Sequence, residues 1–351
     1  MSRPFLIVFC GLLLASNAFS TDVLLPAFYA IHQALDAPIE QVQSTVPIYM
    51  LCSAFGQLIH GPSSDRFGRR PIILGGLALY GCGALLAATA NHIDIVILGR
   101  ALQGFGAAAS VVVARAILRD THSGDELART MALAMAMISA GPILAPLVGT
   151  GLVAAGGWRM PFVAMGIFGA CMAATALWHL TETNAAPNPK ALAPSSLFAA
   201  GKRVLRHPQS RFFLILASTL SCMIISFIAH SPRMLKDTFG IEGVTFALVF
   251  AGMGFGIIFG QVINNRVITR LGVLTTTRLA TAGLAVSCAL MAVLAALNWL
   301  TPVSFAVMMF AFNTFFLVSL ANAGSMVIDP HHDIAGLTSS LLGFVTQLVP
   351  S

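Results

Sequence analysis

Long apolar segments recur along the chain and are separated by short polar ones. The hydrocarbon core of a bilayer is about 30 Å thick, so a helix needs roughly 20 apolar residues to cross it. Backbone groups in lipid must be satisfied within the segment, which favours helices. The pattern therefore predicts an all-α polytopic membrane protein with ten complete spans and the start of an eleventh. The complete spans are expected near residues 5–28, 42–61, 72–90, 94–117, 131–154, 160–180, 212–231, 245–266, 275–297 and 302–326, and the eleventh begins near 334.

Composition supports the same class. Hydrophobic residues make up 57% of the 351 positions and charged residues only 9%, whereas soluble domains carry about a quarter charged residues. The six cysteines lie inside apolar runs and read as packing residues, neither a metal site nor a disulfide framework. His331-His332 is interpreted as a polar turn. No phosphate-binding loop or catalytic cluster is present in the sequence, so we expect neither an enzyme nor a nucleotide, metal or other cofactor.

Lysine and arginine set the expected orientation, because cytoplasmic segments carry an excess of both. With the N-terminus in the cytoplasm, the opposite side keeps only Arg159, Arg233 and Lys236. The net charge of +6 is thereby explained by membrane orientation. A cleaved signal peptide is the other interpretation of the first apolar run. In the orientation with the N-terminus in the cytoplasm, the basic residues on the cytoplasmic side are Arg3, Arg66, Arg69, Arg70, Arg115, Arg119, Arg129, Lys190, Lys202, Arg203, Arg206, Arg211, Arg266, Arg270 and Arg278.

The two halves of the sequence repeat. Phe-Gly-Gln-Leu-Ile at 55–59 aligns with Phe-Gly-Gln-Val-Ile at 259–263, and Gly68 then falls on Gly272. Parallel repeats around a midplane site are a transporter architecture. We predict an N-terminal six-helix bundle at 1–180, a cytoplasmic linker at 181–211 and a C-terminal bundle at 212–351. The repeat spacing also leads us to expect that the second bundle lacks part of helix eleven and all of helix twelve.

The segment Gly61-Pro-Ser-Ser-Asp-Arg-Phe-Gly-Arg-Arg70 carries the most specific signal. Its pattern of glycines and charges resembles the signature loop of the major facilitator superfamily. The resemblance implies the major facilitator fold, two pseudo-symmetric helical bundles, and a closing contact in which Asp65 faces the N-terminus of helix eleven, a position that attracts anions. The second copy has Thr269 in place of Asp65. The residues implied in this contact are Gly61, Asp65, Arg66, Gly68, Arg69, Arg70 and Asp120.

Asp22 and Arg100 lie inside the first and fourth predicted spans, at similar depth. A charge near the bilayer centre costs about 2.5–3.5 kcal/mol on insertion scales, so an intramembrane carboxylate is a functional candidate. We predict that the two form a switchable pair, because making and breaking it would change how tightly Asp22 holds a proton. Two other interpretations stay open: an interfacial Asp22 that ends its helix beside Pro26, and a static pair that only joins two helices.

Further residues resemble the bicyclomycin/chloramphenicol-resistance (Bcr/CflA) branch of drug:proton antiporters. They are Thr-Asp-Val-Leu-Leu-Pro at 21–26, Arg-Ala-Leu-Gln-Gly-Phe-Gly at 100–106 and Ser-Ala-Gly-Pro-Ile-Leu-Ala-Pro-Leu at 139–147. The last resembles an antiporter motif, here Gly141, Pro142 and Pro146, that bends helix five against helix eight; plain helix packing is the alternative. Met137 and Ala145 depart from the motif, and Arg233 stands where the branch usually has an apolar residue.

The resemblance implies a secondary active transporter that exports drug-like small molecules in exchange for protons by alternating access. We expect a monomer in the bacterial inner (plasma) membrane, with no nucleic-acid partner. A proton-coupled or facilitated importer of a small nutrient remains an alternative, as does a truncated, non-transporting membrane protein. The residues expected to line the central cavity are Asn17, Gln103, Phe227, Asn313 and Asn322.

Overall fold

The computed structural model describes residues 3–185, 187, 189, 191 and 201–349. These residues are helical or connect helices, and none of them forms a strand, which confirms the predicted all-α fold. Part of the predicted linker, including Lys190, lies outside the described residues. The helices are α1 (Arg3–Asp22), α2 (Phe28–Leu35), α3 (Ile39–Gln43), α4 (Thr45–Phe67), α5 (Arg69–Ala88), α6 (Ile93–Thr121), α7 (Gly124–Gly156), α8 (Met160–His179), α9 (201–206), α10 (Pro208–Phe239), α11 (Gly243–Ala296), α12 (Pro302–Ile328) and α13 (Ala335–Leu348).

Seven apolar stretches among the described residues are long enough to cross a membrane. One of them, α11, has 54 residues, which at about 1.5 Å per residue exceeds twice the thickness of a bilayer core. It contains the two predicted spans 245–266 and 275–297. They are separated at Gly272, whose backbone is not helical (φ 75°, ψ 164°), so each part can cross the membrane once.

The first predicted span, 5–28, is interrupted. Proline at position 26 has no N–H to donate to the carbonyl of Asp22, four residues earlier. Accordingly α1 ends at Asp22, a short 3₁₀ turn follows at Leu25–Ala27, and α2 continues the path to Leu35. This break places Asp22 at a helix end inside the protein.

The signature segment is mostly helical, which corrects its description as a loop. Helix α4 continues through Pro62 to Phe67, and α5 begins at Arg69. Only Gly68 separates the two helices, with φ 101° and ψ 159°, a conformation that is essentially restricted to glycine. A single residue therefore reverses the chain between two spans.

Helices α1–α8 pack mainly with one another and form the first set, while α10–α12 pack mainly with one another and form the second set together with α13, which packs on both α10 and α4. The two sets also touch, chiefly where α7 packs on α11 and α4 on α13. The boundaries predicted for the two bundles stay a prediction. A cavity lies between the two sets, and it holds the candidate site.

Candidate functional site

The central cavity measures about 270 Å³ and is mostly apolar. Asp22 is the one ionisable side chain among its described lining residues. Phe227 and Phe250 also line the cavity, and their rings stack on each other with centroids 6.0 Å apart and planes 7° from parallel. The lining consists of Ala18, Thr21, Asp22, Met50, Ser221, Ile224, Ile225, Phe227, Ile228, Phe250, Met253, Gly254, Ile257, Asn313, Thr346 and Gln347.

Asp22 reaches this cavity because α1 ends there. Its side chain is buried, with the residue only 3% exposed. The hydroxyl of Thr21 lies 3.1 Å from Oδ1 of Asp22. No ion pair joins Asp22 to a cation in the described part of the chain. A carboxylate without a countercharge in an apolar cavity is well suited to take up and release a proton.

Arg100 is fully buried, and the structure does not pair it with Asp22. Its guanidinium lies over the ring of Tyr49, 4.1 Å from the centroid. Nη1 donates to Gln103 at 3.2 Å and Nε to the carbonyl of Thr45 at 3.4 Å, while Nη2 has no hydrogen-bond partner. The long side chain thus turns toward α4 and along its own helix. The ion pair predicted from depth alone is absent in this conformation.

The five predicted cavity residues separate into two groups. Phe227 and Asn313 line the cavity, and Asn313 also donates to the carbonyl of Met253 at 3.0 Å. The other three are not among the described lining residues. Gln103 accepts a hydrogen bond from Arg100, and Asn322 exchanges two amide hydrogen bonds with Asn264 (3.0 and 3.1 Å). Asn17 is half-buried on α1. Buried amides require partners, and Gln103 and Asn322 meet them inside their own helix sets.

The signature segment is organised around Arg69, which is buried. Its Nη1 donates to Oδ1 of Asp65 at 2.6 Å and to the hydroxyl of Ser64 at 2.7 Å, and its Nε donates to Oδ2 of Asp120 at 2.9 Å. The structure therefore brings together Asp65, Arg69 and Asp120 from α4, α5 and α6. Because charge-assisted bonds to a buried guanidinium are strong, this cluster fixes the three helix ends to one another.

The two other arginines of the segment point elsewhere. Arg66 is exposed and lies over the ring of Phe67, 5.0 Å from its centroid. Arg70 donates to the carbonyl of Leu177 at 2.6 Å, which ties α5 to the end of α8.

Glu182, which the sequence analysis did not single out, caps α5 from 113 residues away. Its carboxylate accepts the backbone N–H groups of Arg69 at 2.8 Å and Arg70 at 3.1 Å. The N-terminal amides of a helix lack partners within the helix. At the start of α5, the N–H of Gly68 donates to the carbonyl of Ser64 and Pro71 has no N–H. The two remaining N–H groups, those of Arg69 and Arg70, are the ones that Glu182 accepts.

The same carboxylate also accepts the amides of Thr183 at 3.0 Å and Asn184 at 2.9 Å. Partial desolvation of this exposed side chain would by itself raise the pKa of Glu182, but the four backbone N–H donors outweigh it and lower the pKa below the ordinary 4.5. The side-chain amide of Asn184 in turn donates to the carbonyl of Asp65 at 2.9 Å. The start of the linker is thereby attached to the signature segment.

The signature end is also where α4 meets α13. The rings of Phe55 and Phe344 pack edge to face with centroids 5.5 Å apart. Gly61 faces Ser340, so a Cβ at residue 61 would lie 3.4 Å from the serine hydroxyl. The predicted approach of Asp65 to the start of helix eleven falls on residues 332–337, whose side chains lie outside the described set.

The residues of the antiporter motif lie on α7, which runs as one helix through Gly141 and Pro146. Gly141 faces α1, where a Cβ would lie 3.7 Å from the Cβ of Ala18. It also lines a second, apolar cavity of about 390 Å³ among α1, α5, α7 and α8. Helix α7 packs on α11, which contains the eighth and ninth predicted spans, and the bend of helix five against helix eight stays a prediction. The side chain of Pro142 lies outside the described residues.

Comparisons with known proteins agree on one family. The model of the Major Facilitator Superfamily matches residues 10–351. The Bicyclomycin resistance protein homolog of Haemophilus influenzae is 29% identical over 272 residues, covering 78% of this chain and 68% of that protein. Multidrug resistance protein D of Escherichia coli is 27% identical, covering 96% and 84%. Among solved structures, a D-xylose-proton symporter superposes with a TM-score of 0.80 at 14% identity, covering 99% and 88%, and thus shares the fold.

Proposed function

Because this chain belongs to the Major Facilitator Superfamily, whose members are transporters, we propose that it exports drug-like small molecules in exchange for protons. The relatives named for bicyclomycin and multidrug resistance support the substrate class. The observation that carries the proposal is the position of Asp22, the one ionisable side chain among the described residues of an otherwise apolar cavity. The bacterial relatives and the apolar spans indicate a multi-pass protein of the bacterial inner membrane.

In the proposed cycle Asp22 carries the proton. When the cavity opens to the outside, a proton binds the carboxylate and the substrate leaves. The neutral carboxyl then costs less to hold in the apolar interior while the cavity reorients. When the cavity opens to the cytoplasm, the proton leaves and the next substrate enters between Asp22 and the stacked rings of Phe227 and Phe250, which offer an apolar and polarisable surface.

We assign Arg100 the role of Asp22's partner in another conformation. A buried guanidinium without a carboxylate is costly, and Tyr49, Gln103 and Thr45 satisfy it only in part, since Nη2 is left without a hydrogen bond. Helices α1 and α6 are packed together, so a small shift between them would change the distance from Arg100 to Asp22. Such a shift would couple proton release to reorientation.

The cluster around Arg69 and the contact between α4 and α13 would close the cytoplasmic end. We propose that this end faces the cytoplasm because of its arginines, and that the chain works as a monomer of two bundles at 1–180 and 212–351. In the closed state, Asp65, Arg69 and Asp120 hold three helix ends as one unit that meets α13.

The test is proton-coupled efflux in proteoliposomes that contain purified protein and a fluorescent substrate. Asp22→Asn keeps the size and polarity of the side chain but cannot take up a proton, so we expect substrate movement driven by a pH gradient to disappear. The matched control is Asp94→Asn, which alters an exposed carboxylate in the first turn of α6 and is expected to transport normally.

Full transport driven by a pH gradient in Asp22→Asn would refute the assignment. Substrate movement in the same direction as the protons, in the unchanged protein, would instead identify an importer. Absence of substrate movement with correct insertion would leave a non-transporting membrane protein.

A further inference from the structure

A second charged cluster joins the two helix sets at the end opposite the signature segment. It lies where α2 and α3 meet the last turns of α10, beyond the central cavity from Arg69. Its members, called here the outer cluster, are Tyr29, Glu40, Arg233, Lys236, Asp237 and Glu242.

Three contacts of the outer cluster cross between the sets. Nη1 of Arg233 on α10 lies 2.7 Å from Oε1 of Glu40 on α3. The hydroxyl of Tyr29 on α2 donates to Oδ1 of Asp237 at 3.1 Å. Nζ of Lys236 lies over the ring of Tyr29, 3.9 Å from the centroid, within the range of a cation–π interaction.

Two further contacts hold the α10 side of the cluster in place. Nε of Arg233 lies 3.3 Å from Oδ2 of Asp237, one helical turn later, and Nζ of Lys236 lies 2.7 Å from Oε2 of Glu242. Arg233 thus binds one carboxylate in each half of the protein. The guanidinium presents several donors in a fixed plane, which suits it to bridge two acceptors.

The side chains of the outer cluster are exposed to solvent. The side chains of Arg233, Glu40 and Asp237 are 44%, 66% and 56% exposed. Exposed ion pairs are weak, and each is worth a factor of about 1.4 to 5 in an equilibrium. Contacts of that strength are too weak to hold a fold together but strong enough to bias two conformations of similar free energy.

We propose that the outer cluster is an ionic lock that holds the two halves together at the end opposite the signature segment and breaks whenever the cavity opens there. The inference rests on the proposed alternating-access function. It gives Arg233, the departure from the Bcr/CflA pattern, a specific role as the central cation of the lock.

The test measures conformation and does not depend on transport. Spin labels are placed at Gln33 on α2 and Thr245 on α11, both exposed, in the full chain with its native cysteines replaced. Pulsed electron resonance then gives the distance distribution between the labels. Arg233→Gln is expected to raise the ratio of the long-distance to the short-distance population by a factor of about 1.4 to 5.

Two controls separate the lock from a general loss of charge. Arg159→Gln removes an arginine at the same end that stacks on Trp158 and donates to the carbonyl of Ala90 within the first half, and it is expected to leave the distribution unchanged. Glu40→Gln should reproduce the shift, and combining it with Arg233→Gln should add little, because the two variants break the same contact.

High salt supplies an independent readout, since it screens exposed pairs. Raising the ionic strength should lengthen the distances in the unchanged protein and have little effect in Arg233→Gln. Identical distributions in the unchanged protein and Arg233→Gln would overturn the lock, whatever Asp22→Asn does. A shift in Arg233→Gln with undisturbed coupling in Asp22→Asn would preserve the lock and refute only the proton carrier.

Discussion

Glu182 offers the sharpest test of how the signature segment is held. Replacing it with alanine removes the acceptor of four backbone N–H groups, two of which begin α5. Gly68, directly before that helix, has no side chain that could take over. The amides of Arg69 and Arg70 would then be bonded only to water, and the turn at Gly68 would lose its contact with the linker.

The free-energy cost of Glu182→Ala can be estimated from the cost of losing a helix cap. Removing a helix N-cap costs about 1 kcal/mol, with a range of about 0.5–2 kcal/mol. Glu182 is exposed, so the larger values typical of buried charged groups do not apply. The Arg69 side chain keeps its bonds to Asp65 and Asp120, so we expect local opening and not unfolding. About 1 kcal/mol corresponds to roughly a fivefold increase in opening.

Hydrogen exchange at single-residue resolution measures this directly, because it reports local opening. In Glu182→Ala the amides of Arg69 and Arg70 should exchange about fivefold faster. Glu126→Ala is the matched control, since Glu126 is a carboxylate near the same end whose ion pair is with Arg3 on α1. Unchanged exchange in Glu182→Ala, or equal acceleration in both variants, would refute the capping role.

Four glycine replacements, in two matched pairs, give further predictions. Gly104→Ala places a Cβ against the backbone carbonyl of Tyr49 and should cost about 1–3 kcal/mol, seen as a lower melting temperature in detergent, whereas Gly75→Ala, with open space around it, should not lower it. Gly68→Ala and Gly272→Ala both force alanine into a glycine conformation at about 1–3 kcal/mol. A Cβ at Gly68 would meet the carboxylate of Glu182, whereas a Cβ at Gly272 would meet no atom within 4 Å. Gly68→Ala should therefore lower the melting temperature more, and equal losses would contradict this reasoning.

Most of the spans could be predicted from the sequence because length and apolar character largely decide whether a segment can cross lipid. The exceptions are 42–61 and 131–154, which are helical but are not among the seven long apolar stretches of the described residues. The cavity residues could not be predicted to the same degree. Gln103 and Asn322 have suitable depth, but depth along a helix does not state which face a side chain occupies or which partner it finds. Asn322 faces Asn264 in another helix, and that amide pair satisfies both without contributing to the cavity.

The partners that charged groups find far along the chain could not be predicted from the sequence either. Glu182 follows α8 in a polar stretch that looks like an ordinary linker, and nothing local indicates that it caps a helix that begins at residue 69. Arg100 shows the reverse case: its burial follows from the sequence, but the direction of a long side chain depends on Tyr49 and Thr45 in α4. Both contacts are set by tertiary packing.

Comparing the two repeats shows which features of the signature segment the turn requires and which it does not. Gly68 and Gly272, which the repeat aligns, share one backbone conformation, with φ of 101° and 75° and ψ of 159° and 164°. The charges around them differ, since Thr269 stands in the place of Asp65 and its hydroxyl donates to the carbonyl of Arg266, one turn earlier. A reversal between two spans therefore needs the glycine in both halves, because no other residue adopts that conformation without strain. The Arg69 cluster and its Glu182 cap are not needed to build the turn. Among the described residues they accompany Gly68 and not Gly272, which supports a role in closing the cavity.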